Sequence, residues 1–323
     1  MLILDRDSKS QEDEMDLKQR TLKKETSCVG IGLHTGKKVN MKIKPAPVNT
    51  GIIFIRKDIP GQPEIPVSFE NVVAPERATN LIYNGYKVQT VEHLLAALYG
   101  CGIDNAIIEI DAPEVPAMDG SAAPFVFLIQ MDAGILVQNA FKKFFIIKKT
   151  FRFEYNSSLI LAYPSKELKI EYMIEFNHPL LRSQNYKFEF STKKFINEIS
   201  RARTFGFLHE VDALKKMGLA KGGSLDNAIV LDNFRVLNPD GLRFEDECVR
   251  HKILDFIGDI ATLGKPVIGH FVVKKSGHSV NHGMLKKLVS EPAYWKILSP
   301  EVEKDVDEQI ELPVFDLPEF VPA

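Results

Sequence analysis

Cysteine is scarce in this chain, and the few cysteines present do not form a group. The 323 residues contain only Cys28, Cys101 and Cys248, which are far apart and lack CxxC spacing. An odd number of isolated cysteines indicates neither a disulfide framework nor a thiolate zinc site. A reducing compartment fits this composition best.

An excess of one charge and long apolar runs are also missing. The formal net charge is -2, whereas a nucleic-acid-binding domain is usually basic. The short apolar start MLIL precedes a charged run and is too brief for a signal-peptide core, and no later stretch is long enough to span a bilayer. We therefore expect a cytoplasmic protein that binds no nucleic acid and does not insert stably into a membrane.

The order of strand-like and helix-like segments indicates the fold class. Strands followed by helices occur twice, on either side of residue 139, which favours an α+β protein of two similarly built halves. We expect a first domain over residues 17–138 and a second over residues 139–305. Residues 1–16 are predicted to be a mobile extension and residues 306–323 an irregular, Pro-rich tail.

The boundaries of three helices can be predicted from capping residues and apolar periodicity. Thr90 is a candidate N-cap for the helix in VEHLLAALYG, and a long helix is expected from about Asp246 to Leu263. A third helix is expected to begin near His282, capped by Ser279 or Asn281, and to continue through SEPAYWKIL. The segment KKFINEISRARTFGF is also predicted to be helical.

On the long helix, His251, Asp255 and Asp259 are four residues apart and share an arc of about 80° opposite the apolar face. Two interpretations are open. The stripe can be the solvated side of an amphipathic helix, or His251 and Asp255 can share a metal ion, because side chains at i and i+4 point the same way.

A metal site would need a further ligand, and His93 in TVEHLLAAL is the candidate. Glu92 precedes it directly, so one residue could bind a metal while the other reaches a water molecule beside it. The patterns HExxH and HxxEH are absent, which excludes those single-helix zinc sites. A site between two helices from different halves remains attractive, whereas the alternative is a hydrogen-bonded histidine in the core.

Two further stretches carry polar groups of interest. KSGHSVNH places His278 after a strand, where catalytic groups are often displayed, although a helix cap would explain the same residues. SRARTFGF offers the hydroxyl of Thr204, although a helix C-terminus ending at Gly206 would also explain the glycine and the nearby arginines.

Six blocks in one order resemble the UDP-3-O-acyl-N-acetylglucosamine deacetylase family, the zinc amidases that commit Gram-negative bacteria to lipid A synthesis. They are GIGLHTGKKV, TVEHLLAALYGCGIDNAIIEIDAPEVPAMDGSAAPFV, SRARTFGF, KGGSLDNAIV, GLRFEDECVRHKILDFIGD and KSGHSVNH. The similarity runs from about Gln19 to about residue 300. It implies two domains, each a β-sheet layered against a pair of α-helices and carrying a small insert, with the active site between them.

The resemblance also implies one catalytic Zn²⁺ ion and a set of site residues. The metal ligands carry over to His93, His251 and Asp255, and the open coordination position is that of a catalytic zinc site. The implied catalytic groups are Glu92 as general base, His278 as acid or electrostatic partner, Thr204 and Lys252 as oxyanion stabilisers, and Asp259 as the acceptor of a hydrogen bond from His278.

The second insert, a βαβ unit near residues 206–232, is implied to enclose a passage for the acyl chain of the substrate. The residues expected to bind substrate are Phe205, Phe207, Val211, Ala220, Gly223 and Lys275, with the glycine and lysine near phosphate. The alternatives are a small satellite core for the apolar residues and a solvated lysine.

The activity implied is hydrolysis of the N-acetyl group of UDP-3-O-acyl-N-acetylglucosamine, a small-molecule substrate, by a monomeric enzyme. Two other interpretations stay open. The chain could be a metal-dependent hydrolase of another substrate, such as a phosphoester, since histidines and carboxylates also suit manganese or iron. It could also be a binding protein that keeps the fold without the chemistry.

Overall fold

The computed structural model describes residues 17–73 and 77–300 and shows a mixed α+β fold, which confirms the predicted class. The predicted N-terminal extension, residues 1–16, and the predicted tail, residues 306–323, lie outside the described residues. Within the described ranges, no helix is both long enough and apolar enough to cross a bilayer.

Ten strands come from the first part of the chain. They are β1 (Lys18–Leu22), β2 (Thr26–Ile31), β3 (Lys38–Pro45), β4 (Ile52–Arg56), β5 (Glu64–Pro66), β6 (Val72–Val73), β7 (Asn80–Tyr83), β8 (Tyr86–Val88), β9 (Ala106–Ile110) and β10 (Ile135–Phe141). The main sheet has the order β2-β3-β9-β4-β5, while β6-β7-β8 form a small sheet and β1 pairs with β10. In β3 and β9 buried side chains alternate with more exposed ones, as expected for a sheet with one face on the core.

Nine strands follow in the second part. They are β11 (Phe144–Ile147), β12 (Phe151–Tyr155), β13 (Ser158–Tyr163), β14 (Leu168–Ile174), β15 (Gln184–Glu189), β16 (Phe205–Phe207), β17 (Ile229–Leu231), β18 (Val267–Lys274) and β19 (Trp295–Leu298). Seven of them form one sheet in which β18 pairs with β13, β14 and β11. Strands β16 and β17 pair in parallel with each other, apart from that sheet.

The helices lie against these sheets. They are α1 (Glu92–Gly100), α2 (Ala123–Phe127, continued by a π-helical segment Leu128–Ala133), α3 (Thr192–Lys194, continued by a π-helical segment Phe195–Ile199), α4 (Leu208–Lys216), α5 (Glu247–Ala261) and α6 (His278–Val289). Every residue of α1 is buried, as are twelve of α5. These two helices therefore lie at the centre of the molecule.

The packing of α1 against α5 depends on Gly258. A Cβ atom at this position would lie 2.2 Å from the carbonyl oxygen of Glu92. No side chain could occupy that space, so the backbones approach more closely here than two ordinary helices can. This contact places the first turn of α1 beside the C-terminal part of α5.

Three of the predicted helix boundaries are wrong for identifiable reasons. Thr90 does not cap α1, because its φ of +56° is left-handed and its hydroxyl donates to Glu114 instead. The helix α6 begins at His278 rather than near His282. Its N-cap is Gly277, which has no side chain to cap the helix. It ends at Val289, before Pro292 in a short 3₁₀ turn and the strand β19.

The remaining two helix predictions differ in accuracy. The helix expected from Asp246 to Leu263 is close to the observed α5. In KKFINEISRARTFGF only the first part is helical, because the chain leaves the π-helical segment after Ile199 and enters the strand β16 at Phe205. The interpretation of Gly206 as a helix stop is therefore wrong.

Gly258→Ala tests the close approach of α1 and α5. Alanine is the better helix former by about 1 kcal/mol, but overpacking a tight contact typically costs about 1–3 kcal/mol, and here the clash is with backbone. We expect a lower melting temperature by circular dichroism. Gly206→Ala is the control, since a Cβ there meets no atom within 4 Å. A melting temperature of Gly258→Ala equal to the unmodified protein would show that the helices are not in tight contact.

Candidate active site

Three buried side chains converge where α1 meets α5. The Nε2 atom of His93 lies 3.5 Å from Oδ1 of Asp255, and Nε2 of His251 lies 3.2 Å from the same oxygen. One ligand atom from each of the three residues lies within 4.8 Å of the ligand atoms of the other two. The helix α1 supplies His93, and α5 supplies His251 and Asp255, which lie on one side of the helix because they are four residues apart.

The donor set and its spacing fit a divalent cation. A tetrahedral ion with bonds of about 2.0–2.1 Å holds its ligand atoms about 3.3 Å apart, close to both measured distances. Asp255 Oδ1 is buried and accepts no hydrogen bond from any residue in the described ranges, although two imidazole nitrogens face it. A buried carboxylate oxygen left in this state is costly unless a cation binds it.

Hydrogen bonding and charge prepare these ligands for a metal. The Nδ1 atom of His251 lies 3.0 Å from the carbonyl oxygen of Ala202, an arrangement that directs Nε2 toward the site. Burial lowers the pKa of His93, which favours the neutral imidazole that a metal requires. Burial alone would raise the pKa of Asp255, but His251, Lys252 and His278 outweigh it and hold the pKa well below its ordinary value.

Glu92 lies on the first turn of α1 beside the three ligands. Its Oε2 accepts a hydrogen bond of 2.9 Å from the backbone N–H of Thr79, and its Oε1 lies 3.9 Å from Nε2 of His278. Burial raises the pKa of Glu92 to about 7, with the charge of His278 acting in the opposite direction. A carboxyl group with this pKa can accept a proton near neutral pH.

His278, at the start of α6, lies beside the same three ligands. Its Nδ1 lies 3.0 Å from Oδ2 of Asp259, and its Nε2 lies 3.8 Å from Oδ2 of Asp255. Asn281 donates to Asp259 at 2.8 Å, and the hydroxyl of Thr79 donates to the other oxygen of that carboxylate. Asp259 therefore holds one nitrogen of His278 while the other is directed toward the metal ligands.

The carboxylates around His278 determine its charge. Burial alone would lower the pKa of His278, but Asp259, then Asp255 and Glu92, outweigh burial and raise the pKa to about 9. The imidazolium form is thus stable at neutral pH. A protonated imidazole next to a carboxylate that can accept a proton is the arrangement needed for general acid–base catalysis.

Lys252 and Thr204 border this group. Lys252 Nζ donates to Oδ2 of Asp255 at 2.7 Å, and Asp255 raises the pKa of Lys252 although burial opposes the change. The backbone N–H of Thr204 donates to Gly120 at 2.8 Å. The next residue, Phe205, has its ring 6.2 Å from the ring of His251 and 5.5 Å from Lys252 Nζ. The segment containing Thr204 therefore lies next to the metal ligands.

The other predicted substrate-binding residues lie mainly on the unit of β16, α4 and β17. Phe207 is half-buried, and its ring lies 5.5 Å from Phe176 and 5.7 Å from His178. Val211 and Ala220 are half-buried and Gly223 is exposed. Lys275 lies outside this unit, where its Nζ pairs with Glu175 at 2.7 Å.

Sequence reasoning did not assign four groups that support the site. They are the backbone and hydroxyl of Thr79, the amide of Asn281 and the carbonyl of Ala202. Asn281 follows His278 by three residues on one helix, so their shared face was a usable signal. The other three bonds depend on how distant segments meet, and no local pattern indicates them.

Comparison with known proteins is consistent with this geometry. The profile of the family described as LpxC: UDP-3-O-acyl N-acetylglycosamine deacetylase matches residues 19–290. The chain belongs to this family. It is 51% identical over 287 residues to the UDP-3-O-acyl-N-acetylglucosamine deacetylase of Saccharophagus degradans, an alignment that covers 88% of this chain and 94% of the relative.

Two further family members show similar coverage. The enzyme of the same name from Shewanella violacea is 47% identical over 298 residues, which are 91% of this chain and 97% of the relative. That from Legionella pneumophila is 51% identical over 282 residues, which are 87% and 92% of the two chains. The resemblance read from the six sequence blocks is thus confirmed.

The metal content of variants distinguishes the three metal ligands from Glu92, the neighbouring carboxylate. We expect about one equivalent of metal per chain in the unmodified protein and a loss of most of it in His93→Ala, His251→Ala and Asp255→Ala, because each substitution removes one of three ligands. Glu92→Ala is the matched control and should keep its metal. Elemental analysis of the purified variants measures this. Full occupancy in His251→Ala would show that the metal lies elsewhere.

Proposed function

We propose that this protein is a zinc-dependent amidohydrolase that converts UDP-3-O-acyl-N-acetylglucosamine to UDP-3-O-acyl-glucosamine and acetate, the committed step of lipid A biosynthesis. The observation that carries the proposal is the convergence of His93 and His251 on Oδ1 of Asp255, with Glu92 and His278 beside it. Family membership favours the N-acetyl sugar over a phosphoester, and the intact set of groups argues against a binding protein without chemistry.

The proposed ion is Zn²⁺ held by His93, His251 and Asp255. Two imidazoles and one carboxylate are a ligand set typical of catalytic zinc, which keeps a further position open. When bound, the ion supplies Lewis-acid polarisation of the amide carbonyl and lowers the pKa of a water molecule beside it.

Glu92 acts on the attacking water. Its carboxylate removes a proton as the water oxygen forms a bond to the carbonyl carbon of the acetamide. The backbone N–H of Thr79 holds one oxygen of Glu92, so the other is free to face the site. Burial favours this proton transfer, because it makes Glu92 a stronger base than an exposed glutamate.

His278 acts on the leaving amine. When the carbon–nitrogen bond breaks, the amine needs a proton, and the imidazolium of His278 can donate it from Nε2 while Asp259 holds Nδ1. Acetate and the 2-amino sugar are the products. Thr204 and Lys252 are proposed to stabilise the negative charge that develops on the carbonyl oxygen, each contributing about 3 kcal/mol, a typical value for such a donor.

We also propose that the chain is organised as two domains, residues 17–138 and 139–305, with the site between them. The helix α1 comes from the first and α5 and α6 from the second, which supports this division. The unit of β16, α4 and β17 is proposed to enclose the acyl chain, with Phe205, Phe207, Val211 and Ala220 along the passage and Gly223 and Lys275 near phosphate. The monomeric state and the cytoplasmic location stay predictions.

Release of acetate from the UDP-sugar is the direct test of the proposed function. We expect turnover by the unmodified protein, loss of turnover on chelation and recovery on addition of zinc at about one equivalent. Glu92→Gln, which keeps the shape of the side chain but not its charge, should lose at least about a hundredfold in kcat, the lower range for an acid–base group. Turnover of a phosphoester but not of the acetamide would contradict the proposal.

The acyl chain is expected to contribute to catalysis through the insert. Burial of each methylene is worth about 0.8 kcal/mol, so a substrate that lacks the chain should lose several orders of magnitude in kcat/KM. Val211→Asp should reduce the difference between the two substrates. Steady-state kinetics with both substrates measures the effect, with Val48→Asp as a control at an exposed apolar position outside the insert. Equal efficiency for both substrates would show that the insert does not bind the chain.

The pH profile tests the role of His278. Its pKa is raised from 6.5 to about 9, so its proton persists through neutral pH and is lost as the pH rises toward that value. The positive charge of a bound ion lowers this pKa, and we expect the alkaline limb of kcat/KM at or below pH 9. In His278→Gln that limb should flatten or move while residual activity persists. An alkaline limb unchanged in shape and position would show that another group sets it.

A further inference from the structure

Glu114 is fully buried and has no part in the mechanism described above. Its Oε1 accepts hydrogen bonds from the backbone N–H of His34 at 2.8 Å and from the hydroxyl of Thr90 at 2.9 Å. Its Oε2 accepts from the backbone N–H and the hydroxyl of Thr35 at 2.8 and 2.6 Å. Both oxygens of one carboxylate are thus used to join two segments that are distant in sequence.

One of these segments contains Thr90 and leads directly into Glu92, the proposed base. Thr90 has a φ of +56°, which is rare and unfavourable for a β-branched residue, and it precedes Glu92 by two positions. Besides the bond to Glu114, its backbone N–H donates to Asn80 at 3.2 Å. The strained turn fixes where α1 begins, and the bond to Glu114 helps to hold that turn.

The other segment contains His34 and Thr35 and lies against the proposed acyl-binding insert. The carbonyl oxygens of Leu33 and His34 accept hydrogen bonds from the backbone N–H groups of Gly222 and Lys221, at 3.0 and 3.2 Å. The fit is close, since a Cβ on Gly222 would lie 2.3 Å from the carbonyl oxygen of Gly32. The loop of residues 32–36 therefore lies between Glu114 and the insert.

We propose that Glu114 is a positioning residue that couples the insert to Glu92, through the loop of residues 32–36 on one side and Thr90 on the other. This rests on the proposed function, in which Glu92 is the base and the insert binds the acyl chain. Seating of the acyl chain on the insert steadies the loop, the loop steadies the carboxylate of Glu114, and that carboxylate holds the turn that aims Glu92. None of the three metal ligands makes a hydrogen bond to Glu114, Thr90 or the loop of residues 32–36 in the described part of the chain.

Kinetics of single variants test the effect on Glu92. In Glu114→Gln one oxygen can no longer accept its two hydrogen bonds, and Thr90→Val removes only the hydroxyl. We expect kcat to fall between about tenfold and a hundredfold in both, the cost of a base displaced by about 1 Å, with metal content unchanged. Thr90→Ser keeps the hydroxyl and should restore kcat. Glu109→Gln is the control, since that carboxylate pairs with Lys44 instead.

Hydrogen exchange tests the coupling without any substrate. In Glu114→Gln the amides of Lys221 and Gly222 should exchange at least about tenfold faster than in the unmodified protein, because the loop that accepts from them is released. Glu109→Gln should leave them unchanged. Unaltered exchange in Glu114→Gln overturns the coupling, as does a kcat in Thr90→Ser as low as in Thr90→Val. If the unmodified protein releases no acetate, the proposed function fails, and the exchange data still decide whether Glu114 holds the insert.

Discussion

The close contact between Gly258 and the backbone of Glu92 is the constraint on which the site depends. It lets α1 approach α5 nearly to backbone contact, so that a histidine from one helix reaches a histidine and an aspartate on the other. Glu92, whose backbone makes this contact, is also the proposed base. Rigid helix packing therefore sets the position of the Glu92 backbone relative to the metal ligands, and the turn at Thr90 is proposed to aim the carboxylate.

Burial of charge explains how the same groups acquire their chemistry. Glu92, Asp255 and Asp259 are all buried within one small region, which would be costly without compensating positive charge. Lys252, the imidazolium of His278 and the proposed ion supply that charge. The environment then moves the pKa values of two carboxyl groups on neighbouring helices in opposite directions. The pKa of Asp255 is held low, so this group is ionised, whereas the pKa of Glu92 is raised to about 7. One group can bind a cation and the other can accept a proton.

Local pattern predicted those parts of the structure that depend on local geometry. The i, i+4 spacing of His251 and Asp255 was sufficient to place both on one side of a helix. For His93, on another helix, local pattern left a metal ligand and a core histidine both open, and only the resemblance of whole blocks to a family favoured the ligand. Capping rules failed at Thr90, because a carboxylate distant in sequence binds its hydroxyl. They also failed at α6, where the N-cap position is occupied by Gly277, which has no side chain to cap the helix.

Anomalous X-ray scattering from a crystal of the purified protein, measured on both sides of the zinc absorption edge, tests the central claim most directly. The account predicts one strong peak within bonding distance, about 2.0–2.2 Å, of His93 Nε2, His251 Nε2 and an oxygen of Asp255. It also predicts that Glu92 remains outside bonding distance in the same crystal. A zinc peak coordinated by other residues, with His93 and His251 unbound, would contradict the account.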